Sequence, residues 1–262
     1  MSLLPDAPPA RAVVSPDGLR IATYEFGDPE APTVIAVHGF ASSALLNWHA
    51  AGWTRDLTRA GFHVIAIDQR GHGQSDKPHD PAAYSMEALV GDVLAVIDTY
   101  LVTDAAYLGY SLGARVGWQA SFDLPHLVNR AVLGGIPDGD PLTRFQVEQA
   151  KSFLTDGTPV EDRLTATYLE MASGISGNDL AALVSLVEGM RGGVQPGTHN
   201  APTQPILLAT GSQDSILDAS RALAGVAPNA SFLEIPHRAH FNAPTSRVFR
   251  DAAVGFLAAR DR

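Results

Sequence analysis

The stretch Gly109-Tyr110-Ser111-Leu112-Gly113 carries the clearest chemistry in the chain. An apolar run of strand length, Ala105-Ala106-Tyr107-Leu108, precedes it, and Ala114 to Ala120, helix formers with no proline, follow. A Gly-x-Ser-x-Gly pentapeptide between a strand and a helix is the signature of a nucleophile elbow. The serine of such a turn is strained, and a bulky residue at either glycine position would crowd the backbone. The geometry lifts the Ser111 hydroxyl clear of the sheet and sets the Leu112 amide at a helix N-terminus, where it can stabilise a developing oxyanion.

A serine hydroxyl is a poor nucleophile at neutral pH; it needs a base, and the base needs an acid to orient it. In elbow architectures these partners follow the serine in the order acid, then histidine. The histidines after the elbow are His126, His199, His237 and His240, of which the last two lie just past an apolar run that ends at Ile235. The carboxylates at the ends of strand-like runs are Asp138 and Asp140 after Ile136, and Asp214 and Asp218 after Thr210-Gly211.

The elements that must position these groups follow a strand-helix rhythm. Arg11 to Phe26 reads as a hairpin around Ser15-Pro16-Asp17-Gly18. Thr33 to Val37 is a nearly continuous apolar run, as expected of a strand buried on both faces, and Phe62 to Ile67 reads as the next buried strand. Helical segments are expected at Leu45 to Arg59 and at Tyr84 to Leu101, where apolar residues recur with a 3.6-residue period. A strand within Leu127 to Ile136 completes this half. From Pro137 to Gln204 the rhythm breaks into helical patches at Leu142 to Leu154, Val160 to Ala172 and Asn178 to Met190. It resumes with strands at Pro205 to Gly211 and Ser231 to Ile235, and helices near Ser215 to Ala224 and Pro244 to Ala259. Alternating strands and helices imply a parallel sheet covered on both faces. The expected organisation is therefore one α/β core, residues 1–136 and 205–262, with a helical cap inserted at 137–204.

Composition narrows the function. With 45% hydrophobic residues among 262, the chain has ample material for a core. A formal charge of -10 with no basic block argues against nucleic acid or an anionic membrane as partner. No cysteine is present, which excludes disulfides, thiolate metal sites and a cysteine nucleophile and fits a reducing cytoplasm. The first residues lack the basic and apolar regions of a signal peptide, and no apolar run approaches the ~20 residues of a membrane span. A soluble, cytoplasmic protein acting on a small molecule is expected; the sequence leaves its oligomeric state open.

The motifs together resemble the α/β-hydrolase-fold superfamily, in the form of a compact serine hydrolase with a helical cap. His38-Gly39-Phe40 is similar to its His-Gly oxyanion segment, and Asp68-x-Arg70-Gly71-x-Gly73-x-Ser75 to the loop after the following strand. Gly109-x-Ser111-x-Gly113 is the elbow, Gly211-x-x-Asp214 the acid segment and Ala239-His240 the base. These anchors run from residue 38 to 240. The resemblance implies a mostly parallel eight-stranded sheet with helices on both faces. It makes Ser111 the nucleophile, His240 the general base and Asp214 the orienting acid, with Asp138 as the rival because some members place the acid one strand earlier. The Phe40 and Leu112 amides would form the oxyanion hole. Phe40, Ala41, Leu112, Phe145 and Phe241 would bind substrate. His38, Asp68, Arg70 and His72 read as loop-stabilising groups.

The expected chemistry is hydrolysis of a small carboxylic ester or lactone through an acyl-enzyme on Ser111, with neither metal nor organic cofactor. A serine at the elbow, where an aspartate would stand, argues against the haloalkane dehalogenase and epoxide hydrolase branches. A carbon-carbon bond hydrolase or a cofactor-free perhydrolase would use the same triad, and Phe241, where the carbon-carbon branch commonly has tryptophan, weighs against the former. A small-molecule receptor on the same fold is the alternative of another class.

Overall fold

The computed structural model describes residues 7–136, 139 and 142–259. The eight strands are β1 (Arg11–Val14), β2 (Arg20–Phe26), β3 (Thr33–Val37), β4 (His63–Ile67), β5 (Ala105–Tyr110), β6 (Val128–Gly134), β7 (Ile206–Gly211) and β8 (Ala230–Ile235). They form one sheet in the order β1-β2-β4-β3-β5-β6-β7-β8. Only the β1–β2 and β2–β4 pairings are antiparallel. The expected eight-stranded, mostly parallel sheet is what the chain forms, with β5 and its elbow near the middle.

Burial explains the continuous apolar runs. Along β5, Ala105 and Tyr107 enter one apolar cluster, while Ala106, Leu108 and Tyr110 enter another on the opposite face. Strands β3 and β4 alternate in the same way, with Ile35, Val37, Ile65 and Ile67 on one side and Val34, Ala36, Val64 and Ala66 on the other. Each large aliphatic side chain so buried contributes about 1.5–3 kcal/mol. The helices α1 (Trp53–Arg59), α2 (Met86–Thr99), α3 (Leu112–Asp123), α7 (Leu217–Ala224) and α8 (Arg247–Ala258) cover these faces. Trp48, Trp53 and Trp118 are fully buried core residues.

Two expected helices end differently. Leu45 to Arg59 divides into a π-helical turn, Leu45–Ala50, and α1, because Gly52 at φ 84° breaks the ladder between them. Helix α2 starts after Ser85, whose hydroxyl caps the Ala88 amide, and stops at Thr99; Leu101 lies beyond it at φ 54° and is exposed.

Between β6 and β7 lie α4 (Val147–Asp156), α5 (Arg163–Ser173) and α6 (Leu180–Gly189). Asp162 and Asp179 cap α5 and α6 through their carboxylates, so these helices begin a few residues later than periodicity alone suggests. Phe145, Val147, Ala150, Leu169, Val184 and Val187 form an apolar cluster of their own. Leu186 and Met190 instead join the sheet's main cluster and anchor α6 to the core. Among the described residues no helix is long and apolar enough to cross a membrane.

Two glycines mark opposite extremes of tolerance. A Cβ on Gly113 would overlap the Val37 carbonyl oxygen, where α3 meets β3, whereas one on Gly255, exposed in α8, meets nothing. Gly113→Ala is therefore expected to lower unfolding free energy by about 3 kcal/mol through overpacking. Gly255→Ala should raise it by about 0.5–1 kcal/mol through helix propensity. Urea titration of both variants measures this, and equal effects would contradict the reported approach of α3 to β3.

Candidate active site

Strand β5 ends in the elbow, and Ser111 occupies a positive-φ conformation (φ 53°, ψ −113°) at the N-terminus of α3. The flanking glycines are required by contact, since a Cβ on Gly109 would overlap the Gly113 carbonyl and one on Gly113 the Val37 carbonyl. Ser111 N–H donates to Gly134 O at 2.8 Å, which ties the strained turn to β6. Such strain costs on the order of 1–3 kcal/mol and persists only where surrounding contacts over-determine it.

The loops after β7 and β8 bring Asp214 and His240 to this turn. They are tied together, as Gln213 N–H donates to Arg238 O at 2.9 Å and His237 N–H to Ser212 Oγ at 2.9 Å. Asp214 Oδ2 lies 2.7 Å from His240 Nδ1, and His240 Nε2 lies 2.9 Å from Ser111 Oγ. A carboxylate only accepts, so Nδ1 carries the proton and Nε2 is left to accept from the serine hydroxyl. The Asp214 side chain is 2% exposed and also accepts from Ile216 N–H at 3.2 Å. From the elbow itself, Tyr110 O–H donates to His240 O at 2.6 Å. Burial, reinforced by Asp214, pushes the Tyr110 phenol well above its usual range and keeps it a donor.

The other carboxylates and histidines stay apart from this chain of bonds. His126, His199 and His237 are exposed, and Asp218 pairs with Arg221 on α7. Asp138 lies outside the described residues. Among the described residues no group of three or more His, Asp or Glu side chains converges as a metal would require.

The segment after β3 faces Ser111, and a Cβ on Gly39 would sit 3.2 Å from Ser111 Cβ. Its shape is set by two fully buried imidazoles. His38 donates from Nδ1 to Gly39 O at 2.7 Å, and its Nε2 accepts from Gln69 N–H at 3.1 Å. His72 donates from Nδ1 to Arg70 O at 3.1 Å, and its Nε2 accepts from Ala41 N–H at 3.0 Å. Asp68 completes the scaffold by accepting from Ala44 N–H at 2.7 Å and Gln74 N–H at 2.9 Å. Arg70, fully buried, holds Asp92 and Asp17 in two-pronged pairs. Among the described residues neither the Phe40 nor the Leu112 N–H donates a hydrogen bond within the protein.

A cavity of about 740 Å³ opens over Ser111, His240 and Asp214. Phe40, Leu112 and Phe241 line it. Ala41 and Phe145 do not: Ala41 is sealed beneath Ala172 and Leu183, and Phe145 is buried behind Tyr168 among α4–α6. Tyr168 lines the cavity and makes edge contacts with Phe40 (5.7 Å) and Phe241 (5.6 Å). Ile216, Leu186 and Met190 were missed as lining residues, and only the fold brings them to Ser111.

The family model for the alpha/beta hydrolase fold matches residues 32–158, from the loop before β3 to just past α4. The chain has the α/β-hydrolase fold, and over this stretch its sequence matches the model of that family. Among curated proteins, epoxide hydrolase A of Mycobacterium tuberculosis is 37% identical over 145 residues, which are 55% of this chain and 43% of that protein. The chain thus spans less than half of that relative's length. Among solved structures, the enol-lactonase of Burkholderia xenovorans LB400 matches with a TM-score of 0.75 at 22% identity, over 96% of this chain and all of that one. A structure from work on carboxylesterases of the thaumarchaeon Nitrososphaera gargenis matches with a TM-score of 0.78 at 16% identity, over 95% and 98% of the two chains. At these identities the shared property is the fold.

The histidine scaffold has a pH signature. Burial lowers His38 to about 4 and His72 to about 3, the latter helped by His38 beside it. Both lie below the unfolded value of about 6.5, so the unfolded chain binds more protons. Their contribution is complete above that value and is lost as pH falls below it. Unfolding free energy should therefore drop by roughly 2 kcal/mol per histidine between pH 7 and pH 5. His72→Asn should flatten the slope. Urea midpoints that do not change over this range would contradict the assignment.

Proposed function

We propose that this protein hydrolyses small carboxylic esters or lactones through an acyl-enzyme on Ser111. The observation that carries the reading is the continuous chain from Ser111 Oγ through His240 to Asp214, at 2.9 and 2.7 Å. In it His240 Nε2 takes the hydroxyl proton as Ser111 attacks the acyl carbon. Asp214 holds the imidazole tautomer and stabilises the imidazolium that forms. The carbonyl oxygen becomes an anion that receives the Phe40 and Leu112 N–H groups; losing one such donor costs about 2.7–4 kcal/mol. Collapse expels the alcohol, protonated by His240, and a water activated by the same nitrogen releases the acid.

The curated likeness to epoxide hydrolases does not extend to the reaction in this reading. A serine that opened an epoxide would form an ether, which offers water no carbonyl carbon, and the enzyme would stop after one event. An acyl group on Ser111 is an ester that a His240-activated water can cleave, so the serine favours an acyl substrate.

Residues 137–204 are assigned in this reading as a cap over the site. The cavity volume lies within the range typical of sites for small ligands. Tyr168 and the exposed Phe241 line the cavity in ring contact, and the buried Leu186 and Met190 add apolar wall. Such a pocket suits a short acyl chain. The acetyl to hexanoyl p-nitrophenyl esters should show kcat/KM at least ~10-fold above the palmitoyl ester, about 1.4 kcal/mol in transition-state binding. Activity should vanish in Ser111→Ala. A panel of esters, lactones and diketones run on both proteins checks this; preference for palmitate, or hydrolysis that survives Ser111→Ala, would overturn it.

A further inference from the structure

The segment that carries the Phe40 amide is held from both sides. Its pivot is Ala41, a non-glycine residue at φ 58° and fully buried. Left-handed backbone of this kind costs an L-residue roughly 1–2 kcal/mol, so neighbouring contacts must impose it. From the core, His72 Nε2 accepts from Ala41 N–H at 3.0 Å. From the helical segment, Asn178 Nδ2 donates to Ala41 O at 2.9 Å. The same amide nitrogen donates to Ala172 O, in the last turn of α5, at 3.1 Å. Two carbonyl acceptors at one end of the side chain fix the amide with its NH₂ toward them, because the flipped amide would set oxygen against oxygen. The Ala41 methyl is packed against Ala172 of α5 and Leu183 of α6. One side chain between α5 and α6 therefore joins the oxyanion segment to the end of a helix that, at Tyr168, also lines the cavity.

We propose that Asn178 is a positioning residue for the oxyanion hole: by holding the Ala41 carbonyl it sets the direction of the neighbouring Phe40 N–H. The inference rests on the acyl-transfer reading above, in which that N–H receives the carbonyl oxygen. Asn178 touches no substrate. It acts on transition-state stabilisation through the backbone, and its loss leaves ground-state binding in place. Other cap–core contacts serve a different end. His79 Nε2, for example, lies 2.9 Å from Asp179 Oδ2 on the exposed surface and ties α6 to the core without touching the oxyanion segment.

The test compares an oxoester with its thionoester, whose sulfur accepts hydrogen bonds poorly. Wild type should prefer the oxoester. Asn178→Ala should lower kcat on the oxoester about tenfold with KM within about twofold, less than outright loss of a donor. The oxoester-to-thionoester ratio of kcat/KM should then fall at least ~5-fold. Asn178→Asp, isosteric but unable to donate, should behave alike and guards against a variant that does not fold, with thermal melts as the check. His79→Ala should leave the ratio unchanged. Equal loss on both esters, a ratio unmoved in folded Asn178 variants, or an equal shift in His79→Ala would overturn the proposal in favour of general cap docking. Activity that survives Ser111→Ala, or no oxoester preference in wild type, would instead remove the acyl-transfer reading on which it stands.

Discussion

The site depends on the close approach of the α3 N-terminus to strands β3 and β5. Gly109 and Gly113 allow a contact that no Cβ could enter, and the turn between them holds Ser111 at positive φ. That single constraint points the hydroxyl away from the sheet and places the Leu112 N–H at the start of a helix. It also brings Ser111 against Gly39, so the serine and the segment after β3 face each other across one gap. The remaining parts are arranged around a position this contact has already set.

Two kinds of support keep those parts in place. Beneath the site, His38 and His72 are neutral, buried and bonded at both ring nitrogens, so they serve as rigid two-ended connectors. Their burial makes the scaffold intolerant of protonation, which links acid stability to the shape of the segment after β3. Beside the site, loops after β7 and β8 are bonded to each other, and Tyr110 of the elbow holds the His240 carbonyl. Parallel strands explain why this works: β3, β5, β7 and β8 all run the same way, so the loops that follow them gather at one edge.

Much of this was legible in the chain. The central strands β3, β5 and β7 read correctly because burial on both faces leaves apolar runs, and the elbow read correctly because its glycines answer a local steric demand. Places after strands left Asp138, Asp140, Asp214 and Asp218 open beside His237 and His240; the family resemblance singled out Asp214 and His240, and the structure brings those two together with Ser111. Side-chain direction was harder to read. Ala41 neighbours Phe40 in sequence, yet its positive φ turns the methyl under the helices and away from the cavity. Phe145 has the character of a pocket residue, but it packs into a cluster that only α4, α5 and α6 together create. Asn178 gave no signal at all, because its role exists only through a carbonyl 137 positions earlier in the chain.

The central claim is that Ser111 carries the acyl group during turnover. Its most direct test is acid quenching of the protein during turnover of p-nitrophenyl acetate, whose good leaving group makes deacylation the slower step, followed by peptide mass mapping. The account predicts an acetyl group on the peptide that contains Ser111, absent from Ser111→Ala. Steady turnover with an unmodified Ser111 peptide, or with the acetyl group on another residue, would contradict it.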